Sequence, residues 1–254
     1  MPNIPVDTHK YITTGLNENK FGISDDELLL VLKALPDLLH IEFLGIHFHI
    51  GSQITHLEPF IELAQKANTY VEQIEAAGFT VKVLNMGGGY GVNYAEPDQE
   101  SIPNFEAFFN VFDTHLNRRS DQEVHFELGR SIIAQAGNLL SRVLYIKERS
   151  TKTFAIIDAG MTELIRPALY QATHQVDLIS NDEVTNATIQ HYDVVGPICE
   201  SSDSFVQNYP LPVLKRGDLI VIRSAGAYGQ VMKSQYNLRP DFPVLYSDEL
   251  GNET

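Results

Sequence analysis

The chain has 254 residues, 43% of them hydrophobic, which is enough for one large domain or two modest ones around a real core. Its formal charge of −15 argues against a nucleic-acid or anionic-membrane surface, because phosphate contacts rely on clustered Lys and Arg, so any anion must be captured locally. No apolar run approaches transmembrane length, the opening MPNIPVDTHK lacks the regions of a signal peptide, and the single cysteine, Cys199, excludes an internal disulfide and a multi-cysteine metal site; a soluble, cytoplasmic protein is expected.

Residues 1 to 23 show little periodicity, and Pro5, Gly15 and Gly22 mark them as loop. Ser24 with Glu27 forms a capping box before Leu28, Leu29, Val31 and Leu32, predicting a helix of about three turns. Ile41 to Ile50 reads as a strand. Thr55 with Glu58 suggests a second capping box, followed by Phe60, Leu63, Ala64, Ala67, Tyr70, Val71 and Ile74 at helical spacing until Gly78. Val81 to Gly91, VKVLNMGGGYG, is a short apolar strand running into consecutive glycines. Such a loop suits an anion, because glycine lets amide N–H groups approach a phosphate with no Cβ in the way. It matches neither a dinucleotide GxGxxG nor a Gly-Lys-Ser/Thr loop, and taken alone a turn that binds nothing is an even alternative. Phe105, Phe108, Phe109 and Phe112 predict another helix and Val124 to Leu128 another strand. Helix and strand thus alternate three times, which implies a parallel sheet with crossover helices, in a barrel or an open doubly wound sheet.

After Arg130 the texture changes. The runs 132–146, 153–159, 188–195 and 218–224 are β-rich and separated by Gly, Pro, Asn and Asp, predicting a mostly antiparallel second domain. The expected division is 1–131 and 132–254.

Candidate chemistry clusters at strand ends. His47 and His49 share a face and lead into HIGSQ; His125 and Glu127 share a face and lead into ELGR. Three successive strand ends therefore present His49 with Ser52, then Gly87 to Gly89, then Glu127 with Arg130, and in a parallel barrel such ends converge on one pocket. The histidine pair lacks the partners that would complete a zinc sphere, so no metal is expected. In DAGMTELIRPALY, Arg166 and Tyr170 could clamp a carboxylate, although a surface arginine fits equally well. GPICESSD sets Cys199 among acid and hydroxyl neighbours, and AGAYG holds Tyr228 between glycines, as a hairpin turn also would.

HIGSQ, NMGGGYG, ELGR, DAGMTELIRPALY, GPICESSD and AGAYG occur in this order from about Thr8 to Pro240. Assembled, they resemble the fold type III pyridoxal-phosphate decarboxylases, and within them the branch acting on meso-diaminopimelate. The resemblance implies an alanine-racemase-like (β/α)8 barrel followed by a C-terminal β domain, working as a homodimer with shared active sites. It implies that His49 stacks on the pyridine ring of pyridoxal 5'-phosphate and that Ser52, Gly88, Gly89, Gly129, Arg130 and Tyr228 hold its phosphate. By the same resemblance Glu127 keeps the ring nitrogen protonated, and Arg130, Arg166, Tyr170 and Tyr228 contact substrate. Glu200 takes the distal ammonium and Cys199 returns a proton to the substrate carbon, both lent to the partner subunit. The family's ornithine and arginine decarboxylases typically carry Asp in place of Glu200 and lack the IRPALY arginine, so lysine and carbon dioxide are the expected products. A related diamine-precursor decarboxylase, of ornithine, arginine or carboxynorspermidine type, and a non-catalytic regulatory homologue are the alternatives. The family's cofactor-anchoring lysine lies upstream of the histidine motif, and Lys10, Lys20 and Lys33 do not sit in its context. Since a full barrel takes ~250 residues and only about 130 precede the change of texture, the expectation is a C-terminal piece carrying the second half of the barrel, inactive by itself.

Overall fold

The computed structural model describes Ile4, residues 20–179 and residues 188–249. The loop expected over residues 1 to 23 therefore lies mostly outside the described residues, as does Lys10. The chain divides into two compact units, Met1–Gln135 and Ala136–Thr254, and each is described by itself.

The first unit alternates helix and strand as the spacing predicts: α1 (Asp25–Ala34), β1 (Gly45–His47), α2 (Glu58–Ala76), β2 (Val83–Asn85), α3 (Phe105–His115) and β3 (Glu123–His125). The three strands pair in parallel in the order β1-β2-β3, with Ile46 opposite Leu84 and Leu84 opposite Val124. The strands are shorter than the apolar runs suggested, because Ile41 to Leu44 and Phe48 to Ile50 lie outside the ladder. At α1 the Glu27 carboxylate accepts from the Ser24 N–H at 2.6 Å, the return half of the capping box, and also from the Ser24 hydroxyl at 2.9 Å. The box expected at Thr55 and Glu58 does not form. Leu57 is the N-cap and Pro59 occupies the first turn, where its missing N–H costs nothing, so the helix starts without a side-chain cap. α2 ends where expected, at Gly78, whose φ of +91° a side chain would oppose.

The core of this unit is aromatic. Phe108 is 1% exposed; its ring stacks on Tyr90 at 4.9 Å and meets Phe60 edge-on at 4.9 Å, while Phe112 meets Phe126 at 4.9 Å. Edge-to-face contacts of this kind add to the burial of each ring.

The first unit closes in two short turns. Residues Arg130–Ile133 at its border are a helical turn, α4, and Ala134–Ala136 a 3-10 turn, so the β run expected from Ile132 starts only at β4 (Leu139–Glu148). Then come β5 (Thr153–Ile157), α5 (Arg166–Tyr170), β6 (Val176–Ile179), β7 (Ile189–Val195), β8 (Ser204–Pro212) and β9 (Leu219–Ile222). They form one sheet in the order β6-β9-β4-β5-β7-β8, antiparallel at every step but β5 with β7. The two edge strands approach each other: the Val176 N–H donates to the Tyr209 hydroxyl at 3.3 Å, leaving the sheet nearly closed around Val143, Ile157, Val194, Phe205, Ile220 and Ile222. Buried Tyr192 satisfies its hydroxyl twice, donating to Gln190 and accepting from the Leu214 N–H, both at 3.0 Å.

Because Phe108 joins α3 to both Phe60 and Tyr90, Phe108→Ala should destabilise the first unit by about 3–5 kcal/mol, the range for truncating a buried ring. Urea unfolding followed by hydrogen exchange in α2 and α3 measures this, and a loss under about 1 kcal/mol would contradict the aromatic core described here.

Candidate active site

At the C-terminal ends of β1, β2 and β3 the backbone continues in register past the last ladder residue. The Phe48 N–H donates to the Asn85 carbonyl at 2.8 Å, Met86 to His125 at 2.9 Å, and Glu127 to Gly87 at 2.7 Å. Glycines make this approach possible. A Cβ on Gly87, already at φ +70°, would stand 2.0 Å from the Phe48 carbonyl oxygen, and one on Gly88 would stand 2.2 Å from that of Glu127. A Cβ on Gly89, at φ +108°, would stand 2.5 Å from the Gly51 carbonyl oxygen. The HIGSQ segment is fastened alongside: Ile54 bridges Tyr90, and the Gln53 amide, on a backbone at φ +63°, donates to the Val92 carbonyl at 2.7 Å.

Onto this frame the side chains converge. Arg130 is 7% exposed; its Nε and Nη2 donate to the Ser52 hydroxyl at 3.2 and 2.9 Å, and its Nη1 donates to the Tyr94 hydroxyl at 2.9 Å. Because Ser52 accepts from the guanidinium, its own proton points elsewhere and can be given to an anion. Asn85 bridges the glycine loop to the acid, accepting from the Gly87 N–H at 2.9 Å and donating to Glu127 at 2.8 Å. The other Glu127 oxygen lies 3.5 Å from His47 Nε2. His49 is half-buried, and desolvation first, then the neighbouring His47, push its imidazole below the usual histidine range against the opposing pull of Glu127. The three strand ends thus bring together His49, Ser52, Gly88, Gly89, Glu127, Gly129 and Arg130. Lys20 stacks over Phe21 and Lys33 sits in the last turn of α1.

The residues fit a phosphorylated, ring-bearing cofactor. Among the described residues no acceptor meets the N–H of Gly88 or Gly89, and a Cβ on Gly129 would meet nothing within 4 Å. Unclaimed glycine amides, open space at Gly129, a hydroxyl with a proton to give and a locked guanidinium are an anion's donor set. The described residues hold no group of three or more His, Cys, Asp or Glu able to bind a metal ion.

The second unit carries the other singled-out residues. Arg166 is not a surface arginine: it is 4% exposed, and its Nη1 donates to His174 Nε2 at 2.7 Å. Arginine has only donors, so His174 accepts at Nε2 and its Nδ1–H donates to the Arg223 carbonyl at 2.8 Å. Tyr170 ends the same short helix, α5, and Tyr228 sits 40% exposed in a turn at φ +60°.

Cys199 is exposed and so does not serve as a buried apolar residue. It and exposed Glu200 form the tip of a loop that Asp203 closes. The Asp203 carboxylate, 3% exposed, accepts from the Met161 N–H at 2.6 Å on one oxygen and from the Ile198 N–H at 2.7 Å on the other. Burial raises its pKa, and the two N–H bonds oppose that rise. Gly160 and Gly196 leave it room; a Cβ on Gly196 would fall 2.3 Å from an Asp203 oxygen. Glu163, 6% exposed, is held in turn by the Gly160 N–H at 2.7 Å and the Thr162 hydroxyl at 2.9 Å. Sequence reasoning passed over Asn85, Tyr94, Asp203, Glu163 and His174. The Asn of NMGGG, the Glu of DAGMTE and the terminal Asp of ESSD stood inside motifs already singled out.

Residues 1–134 match the pyridoxal-dependent decarboxylases in their pyridoxal-binding domain. The chain is 48% identical over 250 residues to a diaminopimelate decarboxylase of Bacteroides thetaiotaomicron, covering 98% of this chain and 64% of that protein. A crystal structure of a point-mutant diaminopimelate decarboxylase from Helicobacter pylori, complexed with L-lysine, superposes with a TM-score of 0.84 at 41% identity, over 94% of this chain and 58% of that one. The Paramecium bursaria Chlorella virus arginine decarboxylase superposes with a TM-score of 0.82 at 20% identity over 95% of this chain and 63% of that one, a likeness of fold. The chain spans roughly three fifths of the length of these relatives.

His49 supplies a pH signature. With its pKa depressed in the folded state, the unfolded chain binds more protons between that value and about 6.5, so stability rises with pH through this window and is flat above it. His49→Gln should remove that slope. Urea unfolding of both proteins at about pH 5.5 and 7.5 checks it, and parallel losses at low pH would reject the burial of His49 as the cause.

Proposed function

The chain belongs to the pyridoxal-dependent decarboxylases, and from that premise we propose that it serves the decarboxylation of meso-2,6-diaminopimelate to L-lysine and carbon dioxide, as the cofactor-binding second half of a (β/α)8 barrel with its C-terminal β domain. The observation that carries this reading is Arg130, buried and locked between Ser52 and Tyr94 beside the unclaimed amides of Gly88 and Gly89. The identities to diaminopimelate decarboxylases support the choice of substrate.

In this reading Ser52, Gly88, Gly89, Gly129, Arg130 and Tyr228 hold the phosphate of pyridoxal 5'-phosphate. When bound, the cofactor draws off the electron pair that departing carbon dioxide leaves on the substrate's α carbon. Glu127, fixed by Asn85, holds a proton on the ring nitrogen, which lets the ring accept that pair. His49, kept neutral by burial, packs on the ring face. Arg130, Arg166 and Tyr170 contact substrate, with Arg166 holding the distal carboxylate; Glu200 takes the distal ammonium and Cys199 returns the proton to the α carbon. The working form is a cytoplasmic homodimer in which Cys199 and Glu200 complete the partner's site. A single cysteine on an exposed loop tip, away from its own unit's core, supports a role towards a second copy.

Release of labelled carbon dioxide from carboxyl-labelled meso-diaminopimelate by the full-length holoenzyme, in which this chain is joined to the first half of the barrel, tests the assignment directly. Arg166→Ala should lower kcat/KM for diaminopimelate by about a hundredfold or more, the cost of a charge-assisted contact, while binding of 1,5-diaminopentane, a lysine-like amine with no carboxylate, changes little. Equal losses for both would remove Arg166 from the substrate site. Mixing inactive Cys199→Ala with inactive Gly88→Ala should restore roughly a quarter of wild-type activity, since half the dimers then hold one intact shared site. No recovery under demonstrated subunit exchange would place Cys199 in its own subunit's site.

A further inference from the structure

Beyond the AGAYG turn the chain passes back over the loop that carries Glu200, and the Tyr236 hydroxyl donates to Glu200 Oε1 at 2.7 Å. The segment presenting this phenol is pinned on both sides. The Ser234 N–H donates to the Thr162 carbonyl at 3.0 Å, and the Arg239 guanidinium donates to the Asp158 carbonyl at 2.6 Å and lies 3.5 Å from Glu163. Between the pins, Asn237 and Leu238 take φ of +55° and +57° in succession. Two adjacent left-handed residues with side chains are unfavourable and persist only where their surroundings over-determine them. Packing does not account for the turn, since Leu238 is 93% exposed and Tyr236 itself 46%. What this backbone delivers is a hydroxyl on one oxygen of Glu200.

That bond has a consequence for recognition. An ammonium needs one carboxylate oxygen, whereas the planar fork of a guanidinium binds best through two parallel N–H bonds to both. A Glu200 whose Oε1 already accepts from Tyr236 presents a single preferred oxygen. The same carboxylate holds the phenol above its ordinary pKa, so Tyr236 keeps the proton it donates. We propose that Tyr236 is a specificity-determining residue that makes Glu200 a one-oxygen acceptor, selecting substrates ending in a primary ammonium over those ending in a guanidinium. The proposal rests on the placement of Glu200 at the distal ammonium given above.

Tyr236→Phe, Glu200→Ala and the double variant of the holoenzyme test it. With meso-diaminopimelate, Tyr236→Phe should raise KM about five- to tenfold, leave kcat within about twofold and leave the melting temperature in place. Competitive inhibition should show the preference for lysine over arginine shrinking by about tenfold, and adding Tyr236→Phe to Glu200→Ala should change nothing further. An unchanged lysine-to-arginine ratio, or an equal KM shift in the Glu200→Ala background, would overturn the proposal. If the wild-type holoenzyme fails to turn over diaminopimelate, the assigned reaction falls, and calorimetric binding of lysine and arginine to wild type and Tyr236→Phe decides Tyr236 separately. There, a wild type that prefers arginine or binds neither, or a variant that weakens both equally, counts against it.

Discussion

At Gly87, Gly88 and Gly89 the backbones leaving β1, β2 and β3 come closer than any side chain permits, with carbonyl oxygens of Phe48, Glu127 and Gly51 where each Cβ would stand. This close approach keeps the three strands in register beyond their ladders, through the bonds Phe48 to Asn85, Met86 to His125 and Glu127 to Gly87. The site follows from it. Asn85 can bond both Gly87 and Glu127 only because β2 lies between its neighbours at ladder spacing, and Ser52 meets Arg130 because HIGSQ is drawn along the glycine loop by the Ile54–Tyr90 bridge. The aromatic core beneath holds α2 and α3 against the sheet, so the loops above it need contribute little to stability and can be built for binding.

The second unit solves a related problem with buried carboxylates. Asp203 and Glu163 are almost fully covered, and burial of a charge is costly unless its lone pairs are met. Here backbone N–H groups of Met161, Ile198 and Gly160 meet them. The Met161 bond ties the DAGMTE loop to the GPICESSD loop and the other two close each loop on itself, so exposed Cys199 and Glu200 project from a braced support.

Local chemistry was legible wherever its cause lay within a few residues. The Ser24 and Glu27 box, the stop at Gly78 and the helical spacing of Phe105 to Phe112 all act over one turn, and all stand in the structure. The Thr55 and Glu58 pattern failed because Pro59 sets the first turn on its own. Ile132 and Ile133, read as strand from their β-branched side chains, are helical in the turn after Gly129. β6 is only four residues with an Asp inside it, and β8 carries Pro210 and Pro212, which suit the edge strand it is but mask it from a strand search.

The linear order of residues was sufficient for the alternation of the first unit, the change to β texture after Arg130, and the identity of the segments that carry chemistry. Folding alone settled which of their side chains meet. Arg130 on Ser52 across 78 positions, Tyr236 on Glu200 across 36, and Asp203 on Met161 across 42 are pairings between segments with no shared period. Periodicity and turn chemistry report on neighbours along the chain, whereas these contacts depend on how strand register and loop closure bring distant backbones together. For the same reason Arg166, indistinguishable in its segment from a surface arginine, is buried against His174: the burial comes from the sheet around it rather than from its neighbours in IRPALY.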